Sequence, residues 1–394
     1  MQTVPYQIVL LGENETGLKQ LVHQDLLLKI QELGLNTDEH VTVLEATEVA
    51  SFSRKAPIVG IFFGGATISA ADIAAVNQLV SEDVVVIPVV EDLGQYQQLV
   101  PSCLYDINGL EVQAAIGGID NITNTALEVL SLLRKTRKLF ISYRRQESRA
   151  IAIQLYEHLD GCGFDVFIDT ISIRPAETFQ ETLWHRLSDT DVVVLLDTPG
   201  FLASRWTSEE LARASAMSIG IIQVIWPEHN PEPASGLCER YYLSDADFKL
   251  DGQDPIHRLL RDGAVSEITR NVESLRARAL SARYSNIVGE LGSVVQELSM
   301  DLAIQPYRYA IVDTGTVRIA VIPTVGLPEA VRYQEIAELL ETIKELAVTS
   351  AVLLYDNRNM RKRWQAHLSW LNEHLPIKSV RVIDSKRWLT DISQ

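Results

Sequence analysis

Short apolar, β-branched runs alternate with segments of helical character between residues 138 and 226. The runs cover residues 138–143, 164–169, 191–197 and 221–226. Strands of this composition, joined through helices, are typical of a parallel sheet that is covered by helices on both faces. The alternation therefore predicts a three-layer α/β domain, and we place its limits at residues 136–235.

Polar and aromatic residues follow the strand ends of this predicted sheet. Ser142, Tyr143 and Arg144 end the first strand, Asp169 ends the second, and Trp206 and Glu210 follow the third. In an open parallel sheet the ligand crevice lies beyond the carboxyl ends of the strands. We therefore expect these side chains to converge on one rim of the sheet.

Trp206 and Glu210 are four residues apart in a segment that is predicted to be a helix. That spacing places both side chains on one face, so an aromatic wall and a carboxylate can line one pocket. A carboxylate there suits the cleavage of a glycosidic bond, because it stabilises the positive charge that develops on a sugar ring. Glu209 points about 100° away from Glu210. The same spacing also fits a core tryptophan beside a solvated charge.

Three motifs in this region resemble those of the TIR family, the Toll/interleukin-receptor domains. They are Phe-Ile-Ser-Tyr-Arg-Arg at residues 140–145, Gly-Phe-Asp-Val-Phe-Ile-Asp at residues 163–169, and the pair Trp206 and Glu210. The resemblance implies cleavage of NAD+ at the nicotinamide ribose, by hydrolysis or cyclisation, with Glu210 as the catalytic carboxylate. NAD+ would then be the substrate and not a bound cofactor, and we predict no metal site.

The same resemblance suggests which residues bind substrate and which bind other subunits. The predicted substrate-binding residues are Ser142, Tyr143, Arg144, Arg145, Asp169 and Trp206. The two arginines suit the pyrophosphate, since a guanidinium can bind two phosphate oxygens at once. Family members self-associate through the loop that corresponds to Asp169–Thr178, so a homo-oligomer or a filament is expected, with a role in antiphage defence. The alternative is a non-enzymatic TIR adaptor that acts through protein–protein contacts.

Residues 1–130 also alternate strands and helices and are predicted to form a separate α/β domain. The strand, turn, helix and strand of residues 57–90 parallel those of residues 191–227 in order and spacing. Superposing the two segments places Ala74–Val76 opposite Glu210, so this copy has no carboxylate there. The domain is either a degenerate TIR-like or flavodoxin-like copy, or simply another βαβ unit.

A connector is predicted at residues 236–305. It begins with a polar loop, and apolar residues then recur at helical spacing between residues 264 and 302, as one long helix or two in series. Arginines cluster along it, either as a solvated face or as a contact for a nucleotide or an acidic partner. They are Arg270, Arg276, Arg278 and Arg283.

Residues 306–394 are predicted to form a small parallel α/β domain. Two strand ends, Thr324–Gly326 and Asp356–Asn359, are polar or small, and a basic run at residues 361–363 follows the second. This block is a candidate nucleotide sensor with a cyclic nucleotide as activator, or an oligomerisation module. The whole chain is thus expected to be α/β, with parallel-sheet, flavodoxin-like domains in tandem and a helical connector.

The net charge and the cysteine content indicate which partners and which cellular location to expect. The 394 residues carry a formal net charge of −17, which disfavours general binding to nucleic acids or to anionic membranes. Cys103, Cys162 and Cys238 lie far apart, as in a protein of a reducing compartment. The chain starts without a basic segment and has no apolar run of membrane length, so a cytoplasmic location is expected.

Overall fold

The computed structural model describes most of the chain. The described residues are 6–13, 17–53, 56–112, 118–168, 185–200, 217–231, 238–249, 258–305, 308–343, 346–358 and 360–393. They fall into two compact units. The first unit holds residues 1–135, 246–249 and 259–278, and the second holds residues 136–245, 250–258 and 279–394.

The first unit is built on a five-stranded parallel sheet. Its strands are β1 Tyr6–Gly12, β2 Val41–Leu44, β3 Ile58–Phe63, β4 Val86–Val90 and β5 Leu110–Glu111, in the order β2-β1-β3-β4-β5. The helices are α1 Leu18–Glu32, α2 Thr37–His40, α3 Ala70–Ser81, α4 Tyr96–Leu99 and α5 Gly118–Val129. Every residue of β1 and β4 is buried, which explains why both strands are almost entirely apolar.

Gly12 ends β1 in a conformation that favours glycine. Its φ is 74°, and a Cβ there would overlap the carbonyl oxygen of Phe63 on the neighbouring strand. The Gly12 N–H donates to Asp72 Oδ1 at 2.9 Å, and the Asp72 N–H in turn donates to Ser69 Oγ, which caps α3. Glycine at this position therefore allows the end of β1 to bond to the first turn of α3 while β1 and β3 stay paired.

The second unit contains another five-stranded parallel sheet. Its strands are β6 Lys138–Ser142, β7 Asp165–Ile168, β8 Val192–Asp197, β9 Gly220–Ile225 and β10 Glu239–Tyr242. They follow the order β7-β6-β8-β9-β10. Helix α6, Arg145–Gly161, connects β6 to β7. In the core that packs on this sheet, the rings of Phe140 and Phe167 stack with their centroids 5.3 Å apart. The predicted α/β fold is confirmed.

The first two sheets share one strand order. Numbered within its own sheet, each runs 2-1-3-4-5, which is the flavodoxin-like order. The repeated segments of the sequence contain β3 and β4 in the first sheet and β8 and β9 in the second. These strands occupy the third and fourth positions of their sheets in both cases, so the internal repeat extends to topology.

The third sheet is mixed rather than parallel throughout. It runs β11-β12-β13-β14-β15, with strands β11 Asp301–Ile304, β12 Ala310–Asp313, β13 Arg318–Thr324, β14 Ser350–Tyr355 and β15 Lys378–Arg381. β13, β14 and β15 are parallel, as the sequence predicts. β11 and β12 were not predicted and pair antiparallel. A tight turn causes the reversal into β13, where Gly315 has a φ of 85° and donates its N–H to Asp313 Oδ1 at 2.9 Å.

Helices α8 Ala330–Thr342, α9 Lys362–His374 and α10 Ser385–Ser393 accompany this third sheet. Strand β10 lies beyond residue 235 and belongs to the second sheet, while β11 lies before residue 306 and belongs to the third. The connector predicted at 236–305 therefore includes one strand of each neighbouring sheet. The four predicted domain ranges otherwise stay a prediction.

Helix α7, Asp262–Glu297, is one continuous helix and not two. The arginines along it are not a uniform solvated face. Arg276 is fully buried, pairs with Glu128 at 2.9 Å and donates to the carbonyl of Arg134 at 2.6 Å. Arg283 donates to the carbonyl oxygens of Thr190 at 2.9 Å and Ser188 at 2.6 Å. Arg276 thus connects α7 to α5 and to the residues just after it, and Arg283 connects α7 to the residues just before β8. Within the described part of the chain, no helix has the length and apolar character that crossing a membrane requires.

Candidate functional site

The carboxyl edge of the second sheet holds four of the predicted substrate-binding residues. Ser142 is the last residue of β6 and is completely buried, and Tyr143 is 2% exposed. Arg144 is half-buried at the position before α6, and Arg145, the first residue of α6, is exposed. The chain thus leaves the sheet interior at Tyr143, and the two arginines are the first side chains at its surface.

Arg144 connects the ends of two strands. Its guanidinium forms an ion pair with Glu147 on the first turn of α6. The Glu147 carboxylate also accepts the N–H of Gly200 at 3.2 Å, in the loop that follows β8. A Cβ on Gly200 would overlap the Arg144 guanidinium. A larger residue at position 200 would require the flexible Arg144 side chain to move away from this loop.

A buried polar cluster lies at the ends of β8 and β9. Asp197, the last residue of β8, is completely buried and accepts a hydrogen bond from Gln223 Nε2 at 2.6 Å. His229 Nε2 lies 3.2 Å from Asp197 Oδ1. The hydroxyl of Thr198 is buried and makes no hydrogen bond within the part of the chain that the structure describes. These residues place buried polar groups at the carboxyl ends of β8 and β9.

Comparison with known families identifies this region. Residues 139–260 match the family model described as TIR domain. The chain contains a TIR domain. The match includes strands β7 to β10 and nearly all of β6. The resemblance seen in the sequence motifs is therefore confirmed for this part of a multi-domain protein.

Other comparisons add little to the TIR domain. No curated protein matches the chain. Among solved structures, a putative sugar-binding protein from Salmonella typhimurium LT2 has 12% identity, covers 71% of this chain and 88% of its own, and has a TM-score of 0.20. A leucine-binding protein from Thermotoga maritima MSB8 has 10% identity, with coverages of 79% and 95% and a TM-score of 0.18. Scores this low carry no structural argument.

Several predicted residues of the TIR domain lie outside the described residues. They are Asp169, Trp206 and Glu210, together with the loop Asp169–Thr178. Their roles stay predictions. The structure does bring the end of β6 to the Gly200 loop, and this loop precedes Glu210 by ten residues in the chain.

Sequence reasoning missed Glu147 and the Asp197 cluster. Glu147 could have been found from its spacing of three residues to Arg144 at a helix start, where opposite charges pair. Asp197, Gln223 and His229 come from separate segments, and no local pattern signals their contact. Among the described residues, no group of three or more His, Cys, Asp or Glu is arranged to hold a metal ion. Cys238 is a free thiol, and burial raises its pKa to about 11.

Proposed function

We propose that the protein is an NAD+ glycohydrolase that releases nicotinamide and acts as an effector of antiphage defence. The main support is its TIR domain, because that family includes NAD+-cleaving enzymes. Further support comes from the polar edge of the TIR sheet, where Arg144 packs on the Gly200 loop. Glu210 follows in the same loop-to-helix segment of the sequence.

The chemistry requires little acid catalysis. The nicotinamide of NAD+ is a cationic pyridinium and leaves as a neutral molecule, so no proton has to be donated to it. The main demand is to stabilise the oxocarbenium-like ribose. The carboxylate of Glu210 meets it through its negative charge and through hydrogen bonds from the ribose hydroxyls. Attack by water gives ADP-ribose, and attack by the adenine of the same molecule gives cyclic ADP-ribose.

Arg144 and Arg145 are assigned to the pyrophosphate in this proposal. Glu147 holds the Arg144 guanidinium at the rim, and the pyrophosphate is a competing acceptor with more negative charge. Arg145 is exposed at the start of α6, where the positive end of the helix dipole also favours an anion. The buried residues Ser142 and Tyr143 are assigned to the wall behind the substrate.

The proposal also includes regulation and location. TIR domains commonly self-associate, and we assign this contact to Asp169–Thr178, in a homo-oligomer or filament. A cyclic nucleotide is the proposed activator, and the protein is proposed to act in the cytoplasm. The self-association comes from the sequence resemblance. The activator comes from the polar strand ends and the basic run of residues 306–394, and the location from the cysteine content and the lack of an apolar run of membrane length.

Nicotinamide release tests the proposal. Purified protein is incubated with NAD+, with and without candidate cyclic nucleotides and crowding agents, and products are separated by chromatography. We expect release by the wild type and a loss of about 100-fold or more in Glu210→Gln, since removal of one electrostatic stabiliser typically costs that much. ADP-ribose and cyclic ADP-ribose are resolved in the same run.

Glu209→Gln is the matched control, because it removes the neighbouring carboxylate from a different face of the predicted helix. We expect its rate to stay within about threefold of the wild type, as for a surface substitution. An essential Glu209 beside a dispensable Glu210 would show that the predicted helix register is wrong. No release by the wild type under any condition would favour a non-enzymatic TIR adaptor.

A further inference from the structure

A cavity of about 620 Å³ lies within the second unit, away from the carboxyl edge of the TIR sheet. Lys138 and Asp165, the first residues of β6 and β7, line one side of it. The other side is lined by the start of α9, including Arg361 and Trp364. Lys138 and Ser142 are four residues apart at opposite ends of β6, a length of roughly 13 Å. The cavity is therefore distinct from the predicted catalytic rim.

Described residues of the strand ends singled out in the sequence line a much smaller space. Thr324, Gly326 and Asp356 line a different cavity of only about 20 Å³, which is enough for about one water molecule. The larger cavity instead involves the basic run that follows the second strand end, through Arg361 and Arg363. Its volume lies in the usual range of small-molecule sites, about 300–1,000 Å³.

Positive charge exceeds negative charge around this cavity. The basic lining residues are Lys138, Arg186, Arg361 and Arg363, and the acidic ones are Asp165 and Asp189. Asp189 is already engaged, because it pairs with Lys138 and accepts the N–H of Leu327 at 2.9 Å. Such a local excess stands out in a chain with a net charge of −17. It favours an anionic ligand.

Two of these cations are available to a ligand. Arg363 is exposed and makes no ion pair with any residue that the structure describes. Arg186 is also exposed, and its guanidinium lies 4.5 Å from the centre of the Phe167 ring. Neither arginine has its charge neutralised by a described carboxylate. Their guanidinium groups can each bind two oxygens of a phosphate.

Aromatic rings form another part of the wall. The His185 and Trp364 rings lie 5.6 Å apart, and the Trp364 and His367 rings 5.5 Å apart. Trp364 Nε1 and His185 Nδ1 are both buried and have no hydrogen-bond partner among the described residues. A buried polar atom without a partner costs about 1–3 kcal/mol. Trp364, His185 and His367 all line the cavity, so a ligand there would lie beside these rings.

We infer that this cavity binds a nucleotide, with the base against Trp364 and His367 and the phosphate on Arg186 and Arg363. An inorganic anion would use the arginines but not the aromatic wall, and a neutral aromatic molecule would leave the cationic side unused. Residues of the TIR domain and of α9 would hold the same molecule. Binding therefore stabilises the arrangement in which the two meet. The regulatory role of this cavity rests on the proposed function, because the cavity supplies the site at which the activating nucleotide binds.

Burial, and next the charge of Arg361, lower the pKa of His185. The imidazole is therefore neutral at neutral pH, when one ring nitrogen donates and the other accepts. A bound phosphate opposes the second of these influences, because its negative charge offsets that of Arg361 and favours the protonated ring. Nucleotide binding should therefore raise the pKa of His185 relative to the unbound protein.

Isothermal titration calorimetry on the full-length Glu210→Gln protein tests the site without turnover of substrate. The probes are AMP, GMP, cyclic AMP and ADP-ribose, with adenosine and inorganic phosphate as partial ligands. We expect at least one nucleotide to bind at one site per chain, and each partial ligand to bind at least about tenfold more weakly. The absence of binding by all four nucleotides would overturn the inference.

Two neighbouring substitutions provide the matched comparison. Arg363 lines the cavity and Lys362 does not, although both are exposed cations at the start of α9. We expect Arg363→Ala to weaken nucleotide binding about tenfold or more and Lys362→Ala to change it less than about twofold. Equal losses in both variants would mean diffuse attraction to a basic surface and no built site.

Tryptophan fluorescence gives an independent readout of the aromatic wall. Nucleotide should quench the wild type, and Trp364→Phe should remove most of this quenching while keeping the ring that packs in the core. Unchanged quenching in Trp364→Phe would place the base elsewhere and overturn the inference. If the protein binds nucleotide but the wild type does not cleave NAD+, the proposed activity is wrong and the nucleotide site stands. If the wild type cleaves NAD+ but the protein binds no nucleotide, the activity stands and the nucleotide site is wrong.

Discussion

Two glycines in the first unit allow the effect of steric overlap on stability to be separated from the effect of backbone strain. Gly12 and Gly34 both have positive φ, 74° and 78°. A Cβ on Gly12 would overlap the Phe63 carbonyl, whereas a Cβ on Gly34 would meet nothing within 4 Å. The Phe63 oxygen belongs to a central strand and cannot move away as a flexible side chain could.

We expect Gly12→Ala to lower the free energy of unfolding by about 2–5 kcal/mol, from left-handed strain together with overpacking. Gly34→Ala should cost only the strain, about 1–2 kcal/mol. Urea unfolding of both variants, followed by circular dichroism, measures the difference. Equal losses of stability would mean that β1 and β3 can separate without cost.

At the scale of elements, α7 is fixed by polar contacts that its apolar spacing does not reveal. Arg276 is fully buried against α5, where it pairs with Glu128. Glu273, one turn earlier, accepts a hydrogen bond from Asn124, which is also completely buried. A long helix with this many charged residues is thus held in place by a few buried pairs.

Arg276→Ala removes a fully buried guanidinium that pairs with Glu128 and donates to the carbonyl of Arg134, so we expect a loss of about 3–5 kcal/mol in the free energy of unfolding. Arg270→Ala is the control on the same helix, since Arg270 is exposed, and it should cost less than about 0.5 kcal/mol. Combining Arg276→Met with Glu128→Gln should recover part of the loss. Equal effects of Arg270→Ala and Arg276→Ala in thermal denaturation would contradict a structural role for the buried pair.

At the scale of the whole molecule, TIR domains commonly work as assemblies, and the proposed activity should depend on protein concentration. We expect nicotinamide release per chain to rise as the protein is concentrated, in parallel with the mass measured by light scattering. Glu210→Gln should associate to the same extent without releasing nicotinamide, because only chemistry is removed. A protein that is monomeric and fully active would exclude the homo-oligomer.

Much of the α/β fold could be predicted because its strands are continuous apolar runs. All of β8 and β9 are buried, and such strands are visible in sequence. β11 and β12 have four residues each and pair through a hairpin, so their pattern is too short to separate from loop sequence. The parallel character of the third sheet was overestimated for that reason.

Residues of the candidate site could be predicted only where a polar or charged residue stands at the end of a predicted strand. Ser142 ends β6 and Arg144 comes two residues later, and the structure places both at the carboxyl edge. The partners that set their environment come from elsewhere in the chain, as with Gly200 for Arg144 and Gln223 for Asp197. Such contacts depend on tertiary packing, which a single sequence does not encode in any local spacing.

A tandem gene duplication would account for the shared strand order of the first two sheets, and the alternative is that two unrelated α/β domains share a common order. After duplication only one copy has to keep the chemistry, and the other can lose it without harm to the cell. Ala74–Val76 on α3, where the repeat predicts the counterpart of Glu210, are consistent with such a loss. On this history the rim of the first sheet is released from catalytic selection, and natural variation between related chains should concentrate there rather than at the edge that contains Arg144 and Gly200.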